Sequence, residues 1–345
     1  MQTAPLRLQI VPPGPGGVHD FAAALRTQWA RHGRPSELLA LDRVAARRQS
    51  LAGLLMALCG PTQPSCSVLL HFSGYGYERR GLCGWLLHEL RGAQQRLGPR
   101  LRIVTLFHEL FASGPPWRSA FWLAPWQARI ASQLAALSGA VATNTAQHAR
   151  WLQQQPGVAA VQTRPVFSNF AQPQRLPALA EREPALVIFG SAATRARALR
   201  RLASHTQTLH TLGVQGLTEV GPGPATILRT WPQQHLGHLP QAEVSRQLQR
   251  HRFALIDYPA PYLAKSGVLA AYAAHGCAVL NTAAPAPDAD GLRAGQHYRA
   301  LLSMKPARVG GDGWQAMADA LHVWHDGHTL PLQARELGAL LEPVD

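Results

Sequence analysis

The feature that most constrains this chain is an alternation of short apolar runs with helical patterns, and it occurs twice. Short apolar runs separated by amphipathic helices are typical of a parallel sheet with helices on both faces. Strands are predicted at 6–11, 37–41, 67–72, 102–106 and 139–143, and later at 185–190, 253–258 and 278–281. Helices are predicted at 18–32, 45–58, 85–97, 125–137 and 146–154, and later at 193–202, 242–250 and 266–275. The pattern indicates an α/β protein with two doubly wound units.

Length and proline content divide the chain between two domains. The 345 residues exceed what one hydrophobic core usually serves. Segment 165–184 lacks periodicity and is rich in proline, which makes it the best linker in the sequence. We therefore expect domains over 1–170 and 183–345, with the last helix packing back on the N-terminal domain.

The formal net charge of +14 comes mostly from arginines that are spread along nearly every predicted helix. A nucleic-acid-binding chain would cluster them and carry a recognisable binding module, so the pattern argues against a nucleic-acid partner. A diffuse positive field attracts anions, including nucleotide diphosphates and anionic lipid surfaces. Lysine occurs only at Lys265 and Lys305, so each is a candidate for a position that requires an ammonium group.

Targeting and redox features favour a cytoplasmic protein. Residues 1–15 hold one short apolar run and four prolines, which fits neither a signal peptide nor a membrane span. No later stretch reaches about 18 uninterrupted apolar residues. The four cysteines lack C-x-x-C spacing and stand in apolar contexts, which favours buried, reduced thiols over a metal site. We expect a cytoplasmic protein that is soluble or peripheral on the inner face of the cell membrane.

Residues that follow predicted strands are the candidates for a site, because doubly wound sheets bind ligands outside the carboxyl ends of their strands. Gly16 and Gly17 follow the first strand and lead to Asp20 at a helix start. Glycines at such a turn let backbone N–H groups approach a phosphate, and an ordinary tight turn is the alternative. The loop is not G-x-G-x-x-G and has no Walker lysine, which disfavours a dinucleotide or P-loop fold.

Two other loops of the first half carry polar and aromatic groups. His108 and Glu109 follow the fourth strand, where they can act as a general base or bind a sugar hydroxyl; a structural histidine is the alternative. The loop after the third strand contains Tyr75, Tyr77 and Arg80, which suit stacking on a sugar or holding an anionic acceptor. A plain surface loop is equally compatible with that composition.

Segment 117–126 contains four large aromatic residues and an arginine. Aromatic and basic residues with few acids suit the headgroup region of a membrane. Packing of the rings into the core is equally compatible with the sequence. A peripheral contact with an anionic membrane is therefore one of two expectations for this segment.

In the second half, Gly190 ends a strand and Arg195 stands in the helix behind it, an arrangement that suits a diphosphate or sugar contact. Lys265, Ser266 and Gly267 stand where a helix of small residues begins. An ammonium group, a hydroxyl and backbone N–H groups converge there, as an anion site requires. A plain N-cap at Ser266 is the alternative.

Taken in order, these segments resemble GT-B glycosyltransferases, especially those similar to family 4. Segment 266–282 resembles their nucleotide-binding helix and strand, and segment 236–240 resembles the stretch before it. The first glycine loop and the His108-Glu109 strand end also resemble theirs, and the phrases around Gly74 and Ser113 look like uncharacterised bacterial exopolysaccharide-type glycosyltransferases. The resemblance implies a GT-B fold, with two Rossmann-like domains facing across a cleft, the acceptor domain first and the nucleotide-sugar donor domain second.

One departure from that family concerns its paired glutamates, which would fall near Leu263 and Ala271 of this chain. Neither position is acidic, so the usual retaining chemistry is not implied. Lys265 and Ser266 would instead hold the diphosphate, as in GT-B enzymes that bind the leaving group without a metal. The Asp288-Ala289-Asp290 sequence lies in a proline-rich loop and is interpreted as a turn, so no metal site is predicted.

The resemblance implies transfer of a sugar from a nucleotide-diphosphate sugar to a saccharide or lipid-linked acceptor, in exopolysaccharide or cell-surface glycan synthesis. No cofactor beyond the donor substrate is expected. A non-catalytic GT-B-like assembly protein is the alternative, favoured by the missing glutamates. The implied residues are His108, Glu109 and Asp20 for catalysis, Gly16, Gly17, Gly190, Arg195, Lys265, Ser266 and Gly267 for the donor, and Tyr75, Tyr77 and Arg80 for the acceptor.

Overall fold

The computed structural model describes residues 6–59, 65–112, 114, 116–228, 231–303 and 311–342. The first five residues, Ser113 and Lys305 therefore lie outside the described residues. The chain divides into two compact units: residues Met1–Arg164 with Leu330–Asp345, called the first unit, and residues Pro165–Thr329, called the second unit.

The first unit contains one sheet of six parallel strands with the order β2-β1-β3-β4-β5-β6. Every residue of its central strand β3 is buried, as expected for a strand covered on both faces. The strands are β1 (Leu6–Val11), β2 (Glu37–Ala40), β3 (Cys66–Phe72), β4 (Leu101–Phe107), β5 (Ala140–Thr143) and β6 (Val161–Thr163). The helices up to β6 are α1 (Gly17–Arg31), α2 (Arg43–Arg48), α3 (Leu51–Cys59), α4 (Gly74–Tyr77), α5 (Gly84–Leu97), α6 (Ser119–Leu137) and α7 (Ala146–Gln153).

The second unit repeats this architecture with a second sheet of six parallel strands, in the order β12-β11-β10-β7-β8-β9. The strands are β7 (Glu183–Phe189), β8 (Leu217–Val220), β9 (Gln233–His235), β10 (His251–Ile256), β11 (Ala278–Asn281) and β12 (Arg299–Ala300). The helices are α8 (Ala192–Leu202), α9 (Thr206–Thr211), α10 (Gln241–Arg250), α11 (Gly267–Ala274) and α12 (Gly311–Asp326). Two buried apolar clusters surround this sheet, one containing Trp314 and the other Tyr272.

Most predicted elements are confirmed, and two helices differ from expectation. The predicted helix at 45–58 is two helices, because the chain becomes extended at Gln49 after α2. Each new helix start has its own acceptor: Asp42 accepts the Ala45 N–H at 2.6 Å, and Glu89 accepts the Leu51 N–H at 2.8 Å. The helix predicted at 125–137 begins earlier, at Ser119, and continues through a proline.

The last helix, α13 (Leu330–Leu341), belongs to the first unit although it follows the whole second unit in sequence. Three side chains of the first unit donate hydrogen bonds to its carbonyls, each at 2.6 Å: Trp29 Nε1 to Ala334, Ser67 Oγ to Leu341 and Arg102 Nε to Leu340. Arg164 adds a bidentate pair with Glu336 at 2.8 and 3.0 Å. Polar side chains thus hold a helix whose apolar residues cover the sheet.

Buried histidines predict an acid-sensitive second unit. His275 Nδ1 donates to the Ala271 carbonyl at 2.7 Å, and Ser245 Oγ lies 2.7 Å from its Nε2. Burial lowers the pKa of His275 to about 4, and burial does the same to His325. The unfolded chain, with a histidine pKa near 6.5, therefore binds more protons than the folded one between about pH 6.5 and 4.

We therefore expect full stability above about pH 6.5 and a loss as the pH falls, reaching about 2 kcal/mol per histidine at pH 5. Urea unfolding at pH 7.5 and pH 5 measures this loss. The variant His275→Gln, compared at both values, should lose less on acidification than the unchanged protein. Equal losses in the two proteins would contradict a neutral, buried His275.

Candidate active-site residues at the two switch points

Each sheet has one switch point, where the connections from two neighbouring strands leave in opposite directions. It lies between β1 and β3 in the first unit and between β7 and β10 in the second. Such divergence opens a crevice outside the carboxyl ends of the strands, where doubly wound sheets bind ligands. The residues that follow these four strands are therefore the first candidates in each unit.

The glycine loop after β1 is open to approach. A Cβ atom at Gly16 or Gly17 would meet no atom within 4 Å, so space surrounds the backbone at the start of α1. Asp20 is exposed in the first turn of α1, where a carboxylate is favoured by the positive end of the helix. This geometry suits an anion contact by the glycines and an ordinary helix start equally well.

A chain of buried polar groups runs under the switch point of the first unit. Gln9 Nε2 lies 3.2 Å from the Ala22 carbonyl and 3.0 Å from Ser36 Oγ. His71 Nε2 lies 2.9 Å from Gln9 Oε1, and His71 Nδ1 lies 3.1 Å from His108 Nε2. Sequence reasoning singled out His108 but missed Gln9 and His71, because both lie inside strands that read as apolar.

These contacts determine where the protons are. The Ala22 carbonyl can only accept, so the Gln9 nitrogen faces it, the Gln9 oxygen faces His71, and His71 Nε2 carries the hydrogen. Burial, with a smaller contribution from His108, lowers the pKa of His71 well below its usual range. Neutral His71 therefore accepts through Nδ1 from His108 Nε2–H. A neutral His108 then has its lone pair on Nδ1, as a general base requires.

Glu109 lies beside His108 at the end of β4 and is exposed. Ser73 Oγ, which follows β3, donates to Glu109 Oε2 at 3.0 Å. The His108 N–H donates to the Phe72 carbonyl at 2.9 Å. These bonds join the ends of two neighbouring strands, so the imidazole and the carboxylate are fixed side by side at the carboxyl edge of the sheet.

The three residues predicted to bind an acceptor after β3 occupy different environments. Tyr75 and Arg80 are exposed, and the Gln127 amide donates to the Tyr75 hydroxyl at 3.1 Å and to the Arg80 carbonyl at 2.8 Å. Tyr77 is buried, and its hydroxyl donates to the His71 carbonyl at 3.0 Å. Burial also raises the pKa of Tyr77 well above its usual range. Tyr77 is therefore a core residue that cannot stack on a sugar, which corrects its predicted role.

Arg195 is also a structural residue. Its side chain is fully buried, and its Nε donates to Glu219 Oε1 at 2.7 Å. The same guanidinium donates to the carbonyls of Gly190 and Pro222. The predicted diphosphate contact is wrong, because this charge is neutralised inside the core. Gly221 lies against the pair, and a Cβ atom there would stand 2.1 Å from the Gly190 oxygen.

The start of α11 contains the predicted ammonium and hydroxyl groups. Ser266 is the N-cap, and its Oγ accepts the Leu269 N–H at 3.2 Å. Lys265 is half-buried, with its Nζ 5.4 Å from the centre of the Tyr262 ring. Ser266 is therefore the N-cap of α11, and Lys265 directly precedes it in sequence.

The end of β7 approaches this helix start. A Cβ atom at Gly190 would lie 3.7 Å from Val268 Cγ2, in the first turn of α11. Gly267, the first residue of α11, is half-exposed, and a Cβ atom there would meet nothing within 4 Å. Two glycines thus leave open space beside the helix start at the second switch point.

A charged cluster that sequence reasoning missed lies at the end of β10. Asp257 is buried, and both Arg197 and Arg201 of α8 donate to its carboxylate. Arg197 also donates to the Asp257 carbonyl at 2.9 Å. Both guanidinium groups are about half exposed, and together they leave one net positive charge at this edge. The sequence contained a sign of this cluster: two arginines one helical turn apart, and an aspartate at the end of a strand.

The Asp288-Ala289-Asp290 sequence forms a turn, as the sequence predicted. Asp288 Oδ1 accepts the Ala294 N–H at 3.2 Å, and Asp290 has a positive φ of 55°. Within the part of the chain that the structure describes, no three His, Cys, Asp or Glu side chains converge as a metal site would need.

Comparison with known proteins gives a match in structure alone. No family model and no curated protein sequence matches the chain. An alpha-glucosyltransferase in complex with UDP and a 13-mer DNA superposes with a TM-score of 0.59 and 8% identity, over 98% of this chain and 100% of that one. The alpha,alpha-trehalose 6-phosphate synthase of Burkholderia multivorans gives 0.61 and 11%, over 98% of both chains. The chain has the GT-B fold.

A third structure with this fold contains a ligand other than a nucleotide. It is a UDP-forming alpha,alpha-trehalose-phosphate synthase from Burkholderia xenovorans in complex with glucose-6-phosphate, with a TM-score of 0.59 and 9% identity over 99% of this chain and 100% of that one. At such identities the likeness establishes the GT-B fold, which the sequence resemblance implied.

The histidine chain predicts a single tautomer for His108. In nitrogen-15 NMR spectra at neutral pH, we expect the uncharged His108 ring to carry its proton on Nε2. Replacing His71→Phe keeps the ring volume but removes the acceptor, so both tautomers should then be populated. His71→Asn, which retains an acceptor oxygen near the Nδ1 position, should restore the Nε2–H form. An Nδ1–H tautomer in the unchanged protein would contradict the assignment.

Proposed function

We propose that the protein transfers a hexosyl group from a nucleotide-diphosphate sugar to a saccharide or lipid-linked acceptor. The observation that carries the proposal is the match over 98% of the chain to UDP-binding and UDP-forming glucosyl-transfer enzymes. Each unit supplies part of the chemistry that such a transfer needs. The second unit supplies cations, and the first unit supplies a base and carboxylates.

On the donor side, the second unit gathers positive charge at the carboxyl edge of its sheet. Lys265 stands beside the positive end of α11, and Arg197 and Arg201 stand at the end of β10. A departing nucleoside diphosphate gains negative charge in the transition state, so fixed cations stabilise that state more than the ground state. We expect these side chains, rather than a metal ion, to neutralise the leaving group.

On the acceptor side, His108 supplies a base whose lone pair is fixed on Nδ1. Glu109 and Asp20 supply carboxylates at the same edge of the first sheet. Proton removal from an acceptor hydroxyl by such a base contributes roughly 10²- to 10⁴-fold to a rate. Tyr75 and Arg80 remain the accessible candidates for holding the acceptor.

The setting we propose is cytoplasmic synthesis of exopolysaccharide or another cell-surface glycan at the inner face of the membrane. Among the described residues, no helix is long and apolar enough to span a bilayer. A lipid-linked acceptor would therefore have to be met at the membrane surface, and the aromatic segment around Trp122 is the part of the chain suited to that surface.

A non-catalytic binding role is the second candidate, and one observation favours it. Leu263 and Ala271, at the positions of the paired glutamates in family 4, are both fully buried in one apolar cluster. A carboxylate at either position would have to be buried without a partner. The protein therefore cannot use that glutamate pair, and only direct tests of donor binding and turnover separate the two candidates.

Donor binding tests the cationic edge of the second unit. By calorimetry with UDP, GDP and dTDP, we expect the protein to bind at least one nucleotide. Lys265→Ala and Arg197→Gln should each weaken that binding by roughly 1.5 to 3 kcal/mol, the scale of a charged hydrogen bond. Arg200→Gln is the matched control, because Arg200 is an exposed arginine of the same helix. No binding to any of the three would refute the proposed donor class.

Turnover tests the acceptor side separately. With a donor that binds, His108→Ala should retain donor affinity and lose roughly 10²-fold or more in kcat, because only the proton transfer is removed. Release of the nucleoside diphosphate in the presence of saccharide and lipid-linked acceptors is the measurement. Unchanged turnover would remove His108 from the reaction, and donor binding without any turnover would favour the non-catalytic candidate.

A further inference from the structure

The first unit exposes an unusually large aromatic surface. Trp117, Trp122 and Trp126 are 84%, 68% and 62% exposed, and Phe121 is 41% exposed. Large aromatic side chains are normally buried or placed at interfaces, because each carries a large apolar area. Four of them exposed within ten residues of sequence indicate a surface that has a partner.

Two of these rings and two arginines form one stripe along α6. Trp122, Trp126 and Arg129 follow one another at helical spacing, and Arg118 lies one turn before Trp122. Trp122 Nε1 donates to the Pro116 carbonyl at 2.8 Å, which fixes its ring on the preceding loop. The opposite side of α6 is buried and contributes Ala131 and other residues to the core. The stripe, called the aromatic face, is therefore held rigidly by a packed helix.

A neighbouring loop extends the aromatic face. Gln127 of α6 donates to the Tyr75 hydroxyl and to the Arg80 carbonyl, so the loop after β3 lies against α6. Tyr75 and Leu82 are exposed there, and so are Arg79 and Arg80. The loop adds an aromatic ring, an aliphatic side chain and two guanidinium groups to the same side of the first unit, and its one acid, Glu78, pairs with Arg43 at 4.0 Å.

Charge is distributed asymmetrically around this face. Between Glu109 and Glu181 the chain contains no Asp or Glu, while it contains Arg118, Arg129 and three further arginines. Arg118 and Arg129 are both exposed. An aromatic surface bordered by guanidinium groups, in a segment without acids, complements a surface that is negatively charged and partly apolar.

We infer that the aromatic face docks on the headgroup region of an anionic lipid bilayer. Tryptophan rings prefer this region, and arginines add attraction to anionic headgroups. A second copy of the chain fits poorly, because a two-fold contact through the same patch would bring arginines against arginines.

Docking through the aromatic face would also place the acceptor for the proposed glycosyl transfer. This one step rests on the proposed function. Gln127 Oε1 accepts the Ala112 N–H at 2.8 Å, so α6 also holds the segment that follows His108 and Glu109. The aromatic face and the proposed acceptor residues therefore share their supporting loops. Docking would bring a lipid-linked acceptor to the edge of the sheet where His108 lies. The docking itself does not depend on glycosyl transfer.

Vesicle flotation tests the docking directly. The unchanged protein should float with vesicles of equal parts phosphatidylcholine and phosphatidylglycerol, and bind phosphatidylcholine vesicles far less. The double variant Trp122→Ser/Trp126→Ser should lose at least about tenfold in partitioning, since it removes most of the apolar contact. Arg118→Gln/Arg129→Gln should lose about fivefold per arginine on anionic vesicles. Ile227→Ser and Arg26→Gln/Arg31→Gln change exposed residues elsewhere and should remain within about twofold.

A measurement on the unchanged protein makes the test independent of variant folding. Brominated phosphatidylcholine in the same anionic vesicles should quench part of the tryptophan fluorescence, because Trp122 and Trp126 would lie at headgroup depth. Absence of flotation, equal flotation of the tryptophan variant, or absence of quenching would each overturn the proposal. So would a dimer in sedimentation velocity that the tryptophan variant dissociates. Nucleotide calorimetry is unaffected by either result, so failure of docking and failure of the donor proposal are distinguishable.

Discussion

Parallel strand pairing is the constraint on which the rest of this structure depends. In both sheets every described strand runs parallel to its neighbours, so all carboxyl ends within a sheet meet at one edge. Polar residues that are far apart in sequence, such as Gln9, His71 and His108, are thereby brought into one hydrogen-bonded chain. The segments that separate these residues in sequence need only be apolar enough to form the sheet and the helices packed on it.

The buried polar groups near each switch point have hydrogen-bond or ion-pair partners. Whether those partners reach solvent determines which groups can act on a ligand. Arg195 and Glu219 neutralise one another inside the core and hold the loops that contain Gly190 and Pro222. Asp257 is buried in the same way, but its two arginine partners reach solvent. Of these two arginine–carboxylate clusters, therefore, only the second presents cations to a ligand.

The alternation of apolar runs was sufficient to predict the two parallel sheets and most of their strands, because burial on both faces leaves a continuous apolar sequence. Short edge strands such as β9 and β12 were missed, since two or three residues with half-exposed side chains carry no periodicity. The division of the helix at 45–58 was missed as well, because it depends on a cap from Glu89, distant in sequence.

The place of a candidate residue at a strand end or a helix start was predictable, but the direction of its side chain was not. His108, Glu109 and Lys265 stand next to strand ends or helix starts, and the structure keeps them at those edges. Tyr77 and Arg195 have equally suggestive neighbours in sequence, yet both point into the core. The direction of a side chain depends on how its element packs against other elements. The residues next to it in sequence do not reveal that packing.

The position of α13 has a consequence for biosynthesis. The second unit is continuous from Pro165 to Thr329, so all of it is translated before the last helix of the first unit is made. Until then Trp29, Ser67 and Arg102 lack the α13 carbonyls to which they donate. The first unit, whose translation begins first, is thus completed last. During that interval the apolar surface of its sheet is uncovered and can be bound by a chaperone.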